Sequence, residues 1–226
     1  MRTHLSLLAS TALIIAWTGS AFCQNHTAPP TILESDTDSD STFRPLFDGT
    51  TFKGWNGNQT VFRIENRAIV GGQLQNRIPH NEFLECDAVF SNFELQLEFK
   101  LIGKTTNAGV QIRSQRIPNH HEMIGYQADL GQKYWGCLYD ESRRRKVLAS
   151  PDKKQLQQVL KKDDWNQYRI VCRGPNIQLF INDMKTVDYT EADSKIPLSG
   201  QIALQIHGGA AGEAWYRNIR IREFKN

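Results

Sequence analysis

Asn92–Leu101, NFELQLEFKL, sets Phe93, Leu95, Leu97, Phe99 and Leu101 in alternation with Glu94, Gln96, Glu98 and Lys100. Successive side chains of a strand point to opposite faces, so this period of two builds one apolar and one polar face. That is the pattern of an antiparallel strand lying between a core and water. Working outward, Val61–Ile64, Ala68–Val70, Gly109–Arg113, Gly125–Leu130 and Trp135–Tyr139 read as further strands. So do Tyr168–Arg173, Ile177–Ile181, Gln201–His207 and Trp215–Glu223. Gly71-Gly72, Gly174-Pro175, Asn182-Asp183 and Gly208-Gly209 supply turn chemistry between them. Asn182-Asp183 joins Ile177–Ile181 to Lys185–Asp188 as a hairpin. Helical character is confined to Asp152–Lys162, where Leu156, Val159 and Leu160 share a side. Ten or more short strands with at most one short helix predict an all-β fold, a two-sheet antiparallel β-sandwich.

The 226 residues suit one such domain, and a hydrophobic fraction of 39% leaves room for a substantial core. A net charge of +3 is too weak to point to nucleic acid, and acidic and aromatic residues interrupt the basic clusters at 143–146, 153–154 and 161–162. The N-terminus has the pattern of a secretory signal over residues 1–23: Arg2, an apolar run from Leu5 to Trp17, then Gly19-Ser20-Ala21. It is too short for a retained span, and no other segment is apolar enough to cross a membrane. Phe22, rather than a small residue, precedes Cys23, which argues against a lipid anchor. Residues 24–42, QNHTAPPTILESDTDSDST, are polar, acidic and proline-bearing, the composition of a disordered linker. The folded domain is expected over 43–226, in an exported, periplasmic or extracellular protein. Cys86, Cys137 and Cys172 remain after processing, so at most one internal disulfide forms; none has zinc-ligand spacing.

Asn107–Arg145 carries the residues that point to function. At period two, Gln111 and Arg113 share a face, as do Gln127 and Asp129. Glu122, two adjacent histidines, Trp135, Tyr139 and a run of arginines from Arg143 surround them. Amides, an acid, a guanidinium and aromatics on strand faces suit a polyhydroxylated ligand. Far along the chain, Gln205 and His207 share a face opposite Leu204 and Ile206, and a sandwich could bring them over the same floor. Each residue has a structural alternative. His207 could bond its own Gly208-Gly209 turn, Asp129 could cap the turn at Gly131, and Arg113 could pair with Glu122. Trp135 and Tyr139 could be core residues, and Arg143 a solvated rim charge. His120 and His121 are expected to point apart on an extended chain, against shared metal ligation.

An ordered set of signatures resembles the 3-keto-disaccharide hydrolase domain family. It comprises Leu46-Phe47-Asp48-Gly49 with Gly54-Trp55, Asn92-Phe93-Glu94-Leu95, Asn107-Ala108-Gly109-Val110 leading to Arg113, and Gly125-Tyr126-Gln127. Trp165-Asn166-Gln167-Tyr168, Gly200–Gly208 and Tyr216-Arg217-Asn218-Ile219 complete it. The resemblance implies a concanavalin-like jelly roll whose concave sheet holds the ligand, and action on glycosides oxidised to a ketone at the third sugar carbon. This chain departs from the family pattern in carrying Gln127 and Asp129 where Gly-Tyr-Glu and a following Gln are common, so the acid has moved by two positions.

Ordinary glycoside hydrolysis needs two carboxylates flanking the bond, and no Glu-x-Asp-x-Glu strand is present. A 3-keto sugar needs less. Its carbonyl acidifies the hydrogen on the second carbon, a base forms the enolate, and the enolate expels the group on the first carbon before water adds. The expected roles are Asp129 or His207 as base, Arg113 as enolate stabiliser and Glu122 as acid. Gln111, Gln127, Trp135, Tyr139, Arg143 and Gln205 are expected to bind the saccharide. No cofactor is expected; a divalent ion could replace the enolate stabiliser, but no ligand set supports one. The alternative is a carbohydrate-binding module using the same face without catalysis. A third reading, an adhesion sandwich with a protein partner, has no feature of its own.

Overall fold

The computed structural model of the chain describes residues 42–225. The signal expected over 1–23 and, but for Thr42, the linker expected over 24–42 lie outside the described residues. In chain order the strands begin with β1 (Arg44–Pro45), β2 (Trp55–Asn56), β3 (Phe62–Glu65), β4 (Ala68–Gln73) and β5 (Glu82–Phe90). Next come β6 (Phe93–Ile102), β7 (Asn107–Arg116), β8 (Met123–Gly131), β9 (Leu138–Glu141) and β10 (Lys146–Ala149). After helix α1 (Lys153–Val159) follow β11 (Asn166–Arg173), β12 (Asn176–Ile181), β13 (Met184–Thr190), β14 (Gly200–Ile206) and β15 (Gly212–Glu223).

Two antiparallel sheets result. One has the order β13-β12-β11-β6-β15-β4-β3 with β1 added beside β15; the other runs β10-β9-β8-β7-β14-β5-β2. The alternation of β6 explains the sandwich. Leu95, Leu97 and Phe99 go inward with Tyr168, Ile170 and Cys172 of β11 and Tyr216, Ile219 and Ile221 of β15. They meet Val110 and Ile112 of β7, Tyr126 and Ala128 of β8, and Leu204 and Ile206 of β14 from the facing sheet. Burying a side chain of this kind stabilises the fold by about 1.5–3 kcal/mol before ordering entropy is subtracted. Tyr216 also ties the layers: its hydroxyl donates to the carbonyl of Gln205 at 2.7 Å.

Several local expectations need correction. Gly71-Gly72 is not a turn but lies inside β4, where a side chain on Gly71 would meet the Phe62 ring at 2.7 Å. The glycines admit a close approach of sheet to core. Trp135–Cys137 forms a turn, and the strand begins at Leu138. β5, with the mixed pattern EFLECDAVF, escapes a period-two reading because its register against β14 shifts between Gln201 and Ala203. Asn182 and Asp183 do form the hairpin, both with positive φ, as a two-residue primed turn requires. The helix is capped by Asp152, which accepts from the amides of Lys154 and Gln155. All three cysteines are buried free thiols.

Candidate functional site

The outer face of the seven-stranded sheet, away from the core, gathers the polar residues. β14, β7 and β8 are adjacent, and their register sets Gln205 opposite Gly109 and Gly109 opposite Asp129. One rung along, Ala203, Gln111, Gln127 and Tyr139 stand in line across β14, β7, β8 and β9. Gln111, Gln127, Asp129 and Gln205 therefore share one floor although β14 is nearly a hundred residues from β7. Phe83, Met123 and Ala203 form a small apolar patch on it.

The floor is an oriented hydrogen-bond chain. The Ser114 hydroxyl donates to Oε1 of Gln111, Nε2 of Gln111 donates to Oε1 of Gln127 at 2.7 Å, and Nε2 of Gln127 donates to Oδ1 of Asp129 at 2.9 Å. Every donor points toward Asp129, the terminal acceptor. Gly109 makes this geometry available, since a Cβ there would lie 2.7 Å from Cγ and Cδ of Gln127. Asp129 is only 3% exposed. Burial disfavours its anion and pushes its pKa up to about 8; the bond from Gln127 opposes this, and the nearby charge of Glu141 adds to it.

Glu141 also stands on this face, and the sequence reading missed it. It pairs with Gly125 at the end of β9, on the same side as Tyr139. Burial, then repulsion from Glu122, pushes its pKa up to about 7. Its alternating partner Asp140 faces the other way, so a short DE pair gives no sequence signal of which acid faces the floor. Arg145, exposed and with positive φ, sits beside Glu141 and Tyr139 and favours the charged form of each.

At one rim, Glu122 accepts from Nδ2 of Asn81 at 3.0 Å. His80, His121 and His120 stack in sequence, with ring centroids 4.2 and 4.3 Å apart. The expectation that His120 and His121 point apart fails because the chain turns there, the His120 amide donating to the carbonyl of Ile117. Among the described residues no group of three or more His, Cys, Asp or Glu side chains could hold a metal ion. Arg116 fastens this rim, donating to Glu85 at 2.9 Å and to the carbonyls of His121 and Phe83. At another rim the exposed His207 follows β14; its Nδ1 lies 2.6 Å from the carbonyl of Gly208. A carbonyl only accepts, so Nδ1 carries the proton and Nε2 keeps its lone pair in the neutral ring. The bond to the turn is thus present, and it sets the tautomer.

Three buried groups on this face lack partners: both amide atoms of Gln205, which is wholly buried, Oδ1 of Asn107 and Oε2 of Glu122. Unpaired buried polar atoms are costly and rare in folded proteins.

Three expected residues join neither the floor nor its rims. Arg113 is carried off by a register shift between Ile112 and Gln115 and has φ of 49°. Its guanidinium is buried and donates to the carbonyls of Ser91 and Gly174. It pairs with neither Gln111's face nor Glu122. Trp135 packs on the core, 6.2 Å from the Phe99 ring. Arg143 pairs with the fully buried Asp140 at 2.9 Å and covers the inward-facing Tyr126 ring. Arg144 extends this network to Glu191, whose carboxylate accepts from the Tyr126 hydroxyl. Tyr139 does stand on the floor, edge-on to Tyr134 at 6.1 Å.

Residues 42–222 match the model of the 3-keto-alpha-glucoside-1,2-lyase-like domain. The chain belongs to this family. Membership supports a carbohydrate-related function. No curated protein matches the sequence. Among solved structures, a candidate glycosyl hydrolase from Parabacteroides distasonis ATCC 8503 is similar at 18% identity and TM-score 0.61, over 81% of this chain and 94% of its own. A second from the same organism gives 22% and 0.59, over 81% and 100%. The carbohydrate-binding module CBM66 from Bacillus subtilis gives 15% and 0.58, over 75% and 96%. These likenesses establish a shared sandwich fold. Among the described residues no helix is long and apolar enough to cross a membrane.

Proposed function

We propose that this family member is an exported enzyme that cleaves 3-keto-glycosides on the outer face of the seven-stranded sheet. The observation that carries the reading is Asp129, a buried carboxyl at the end of an amide chain whose pKa is raised to about 8. Such a group holds its proton at neutral pH and is suited to deliver it to a departing glycosidic oxygen, the role of a general acid rather than the base expected above. The base is then His207, with Nε2 open. Strand spacing and rise put its Cα about 12 Å from that of Asp129, room for a sugar ring between the side chains.

In this scheme His207 takes the hydrogen from the second carbon, and the electron pair moves to the carbonyl oxygen at the third. Arg145, the exposed cation beside Glu141 and Tyr139, stabilises that oxygen. Asp129 protonates the leaving oxygen as the bond at the first carbon breaks. Water then adds across the resulting double bond, its hydroxyl to the first carbon and its proton to the second. Gln205, Asn107 and Glu122 offer the unpaired atoms for ring hydroxyls. Because the floor is closed to solvent, neighbouring side chains such as Tyr139 must move aside for the ligand to reach its buried amides.

A second reading, a non-catalytic saccharide-binding face, draws on the same unpaired amides. Incubating the protein with a 3-keto-disaccharide and with its unoxidised parent separates the two. Release of a 3-keto-monosaccharide from the former alone supports cleavage. Binding of both sugars without turnover sinks it in favour of the module. Export is supported by the N-terminal charged, apolar and small-residue pattern; recovery of the unprocessed chain from the cell interior would count against it.

A further inference from the structure

The eight-stranded sheet has an outer face of its own, opposite the proposed site. Register lines up Phe180 of β12, Arg169 of β11, Gln96 of β6, Arg220 of β15 and Pro45 of β1 in one row across five strands. Their sequence neighbours Leu179, Ile170, Leu95, Leu97 and Ile221 are core residues, so this row points outward. Adjacent strands lie about 4.8 Å apart, which puts the Cα atoms of Arg169 and Arg220 about 10 Å from each other.

The row holds two guanidinium groups and no carboxylate. In the flanking rows each arginine has its acid: Arg217 meets Glu98 at 2.6 Å and Arg222 meets Glu94 at 2.6 Å. Arg220 instead donates to the neutral Oε1 of Gln96, at 3.0 and 2.6 Å. Arg169 donates to no side chain or carbonyl among the described residues and lies 3.5 Å from the centroid of the Phe180 ring. Phe43 supports Arg220 in the same way at 5.0 Å. An aromatic ring fixes the guanidinium plane while leaving its donors outward. A cavity of about 650 Å³ stands over the row, with Gln167, Asn218, Asp183 and Glu98, the last neutralised by Arg217, also in its walls. That volume is in the range of small-ligand sites.

We propose that this cavity is a second binding site, for a carboxylate- or sulfate-bearing saccharide, with Arg169 and Arg220 holding the anionic group. Guanidinium forks match two-oxygen anions in geometry as well as charge. The amides of Gln167 and Asn218 beside them suit ring hydroxyls. Duplex nucleic acid needs a continuous positive surface, and Glu94, Glu98 and Asp183 interrupt this one. The proposal is independent of the chemistry on the opposite sheet.

The test titrates the full chain calorimetrically with a trigalacturonate, a sulfated oligosaccharide and a neutral galacto-oligosaccharide. One or both anionic sugars bind and the neutral one does not. Arg169→Gln with Arg220→Gln weakens binding by about tenfold or more, whereas Lys153→Gln with Lys154→Gln, an equal charge loss on α1, changes it by less than about twofold. Arg169→Lys, which keeps the charge and loses the fork, gives a measurable intermediate loss, and it stands alone if the double variant fails to fold. Equal loss in both double variants, equal binding of the neutral sugar, equally strong competition by short duplex DNA, or no anionic sugar bound would each overturn the proposal.

Discussion

Replacing Asp129 by Asn probes the floor without reference to any substrate. The amide keeps an acceptor for Nε2 of Gln127, so the chain from Ser114 onward is retained, while the titrating proton is removed. In the folded protein burial raises the pKa of Asp129 to about 8, against 3.8 for an ordinary aspartate. Between these values the folded chain holds a proton that the unfolded chain has lost. Stability therefore falls as pH rises through that window, with a slope of at most about 1.4 kcal/mol per pH unit for one proton. The total difference is of the order of several kcal/mol, reduced by relaxation around the ionised group. Glu141 titrates in both proteins and largely cancels in the comparison, although its charge contributes to Asp129. Denaturant unfolding followed by tryptophan fluorescence at about pH 5 and about pH 7.5 reads the effect. The variant gains on the wild type by roughly 2 kcal/mol or more between the two conditions. Identical pH dependence, within about 0.5 kcal/mol, would refute the claim that the fold holds Asp129 protonated.

Gly109→Ala pushes the new methyl into Gln127 and breaks its bonds to Gln111 and Asp129; the expected cost is about 1–3 kcal/mol in denaturant midpoint, although Ala otherwise favours strand over Gly. His207→Ala, at an exposed position, leaves the thermal transition in place and lowers turnover of a 3-keto-disaccharide by about 100-fold or more. Arg113→Lys loses the fork that joins Ser91 to Gly174 and destabilises by about 1.5–3 kcal/mol, while KM for the keto sugar stays the same; a raised KM with unchanged stability would return Arg113 to the site.

The sandwich was legible because β6, β11 and β12 are half-buried strands whose period is unbroken from Phe93 to Leu101, from Tyr168 to Cys172 and, after the Gly174-Pro175 turn, from Ile177 to Ile181. The shared floor was legible for the same reason: Gln111, Gln127, Asp129 and Gln205 keep the phase of their strands, and flanking Val110, Ala128 and Leu204 mark the inner face. Arg113 shows where that logic stops. One register shift after Ile112 re-aims everything beyond it, and the sequence QIRSQR gives no sign of the bulge. Arg116, three residues on, is the cation that reaches the rim. Glu141 was hidden by its neighbour, since Asp140 and Glu141 differ only in which side of a short strand they occupy. The stack of His80 on His121 depends on a turn and on a residue forty positions away, so adjacency in sequence was a poor guide.

The central claim is that cleavage proceeds through proton loss at the second carbon and later hydration. The most direct measurement is to run the reaction on a 3-keto-disaccharide in deuterium oxide and locate deuterium in the released sugar by NMR. The account predicts one deuterium at the second carbon of the 3-keto product, above the level found when that product is incubated alone, and no cleavage of the unoxidised parent. Cleavage that leaves the second carbon in its original hydrogen form would contradict it.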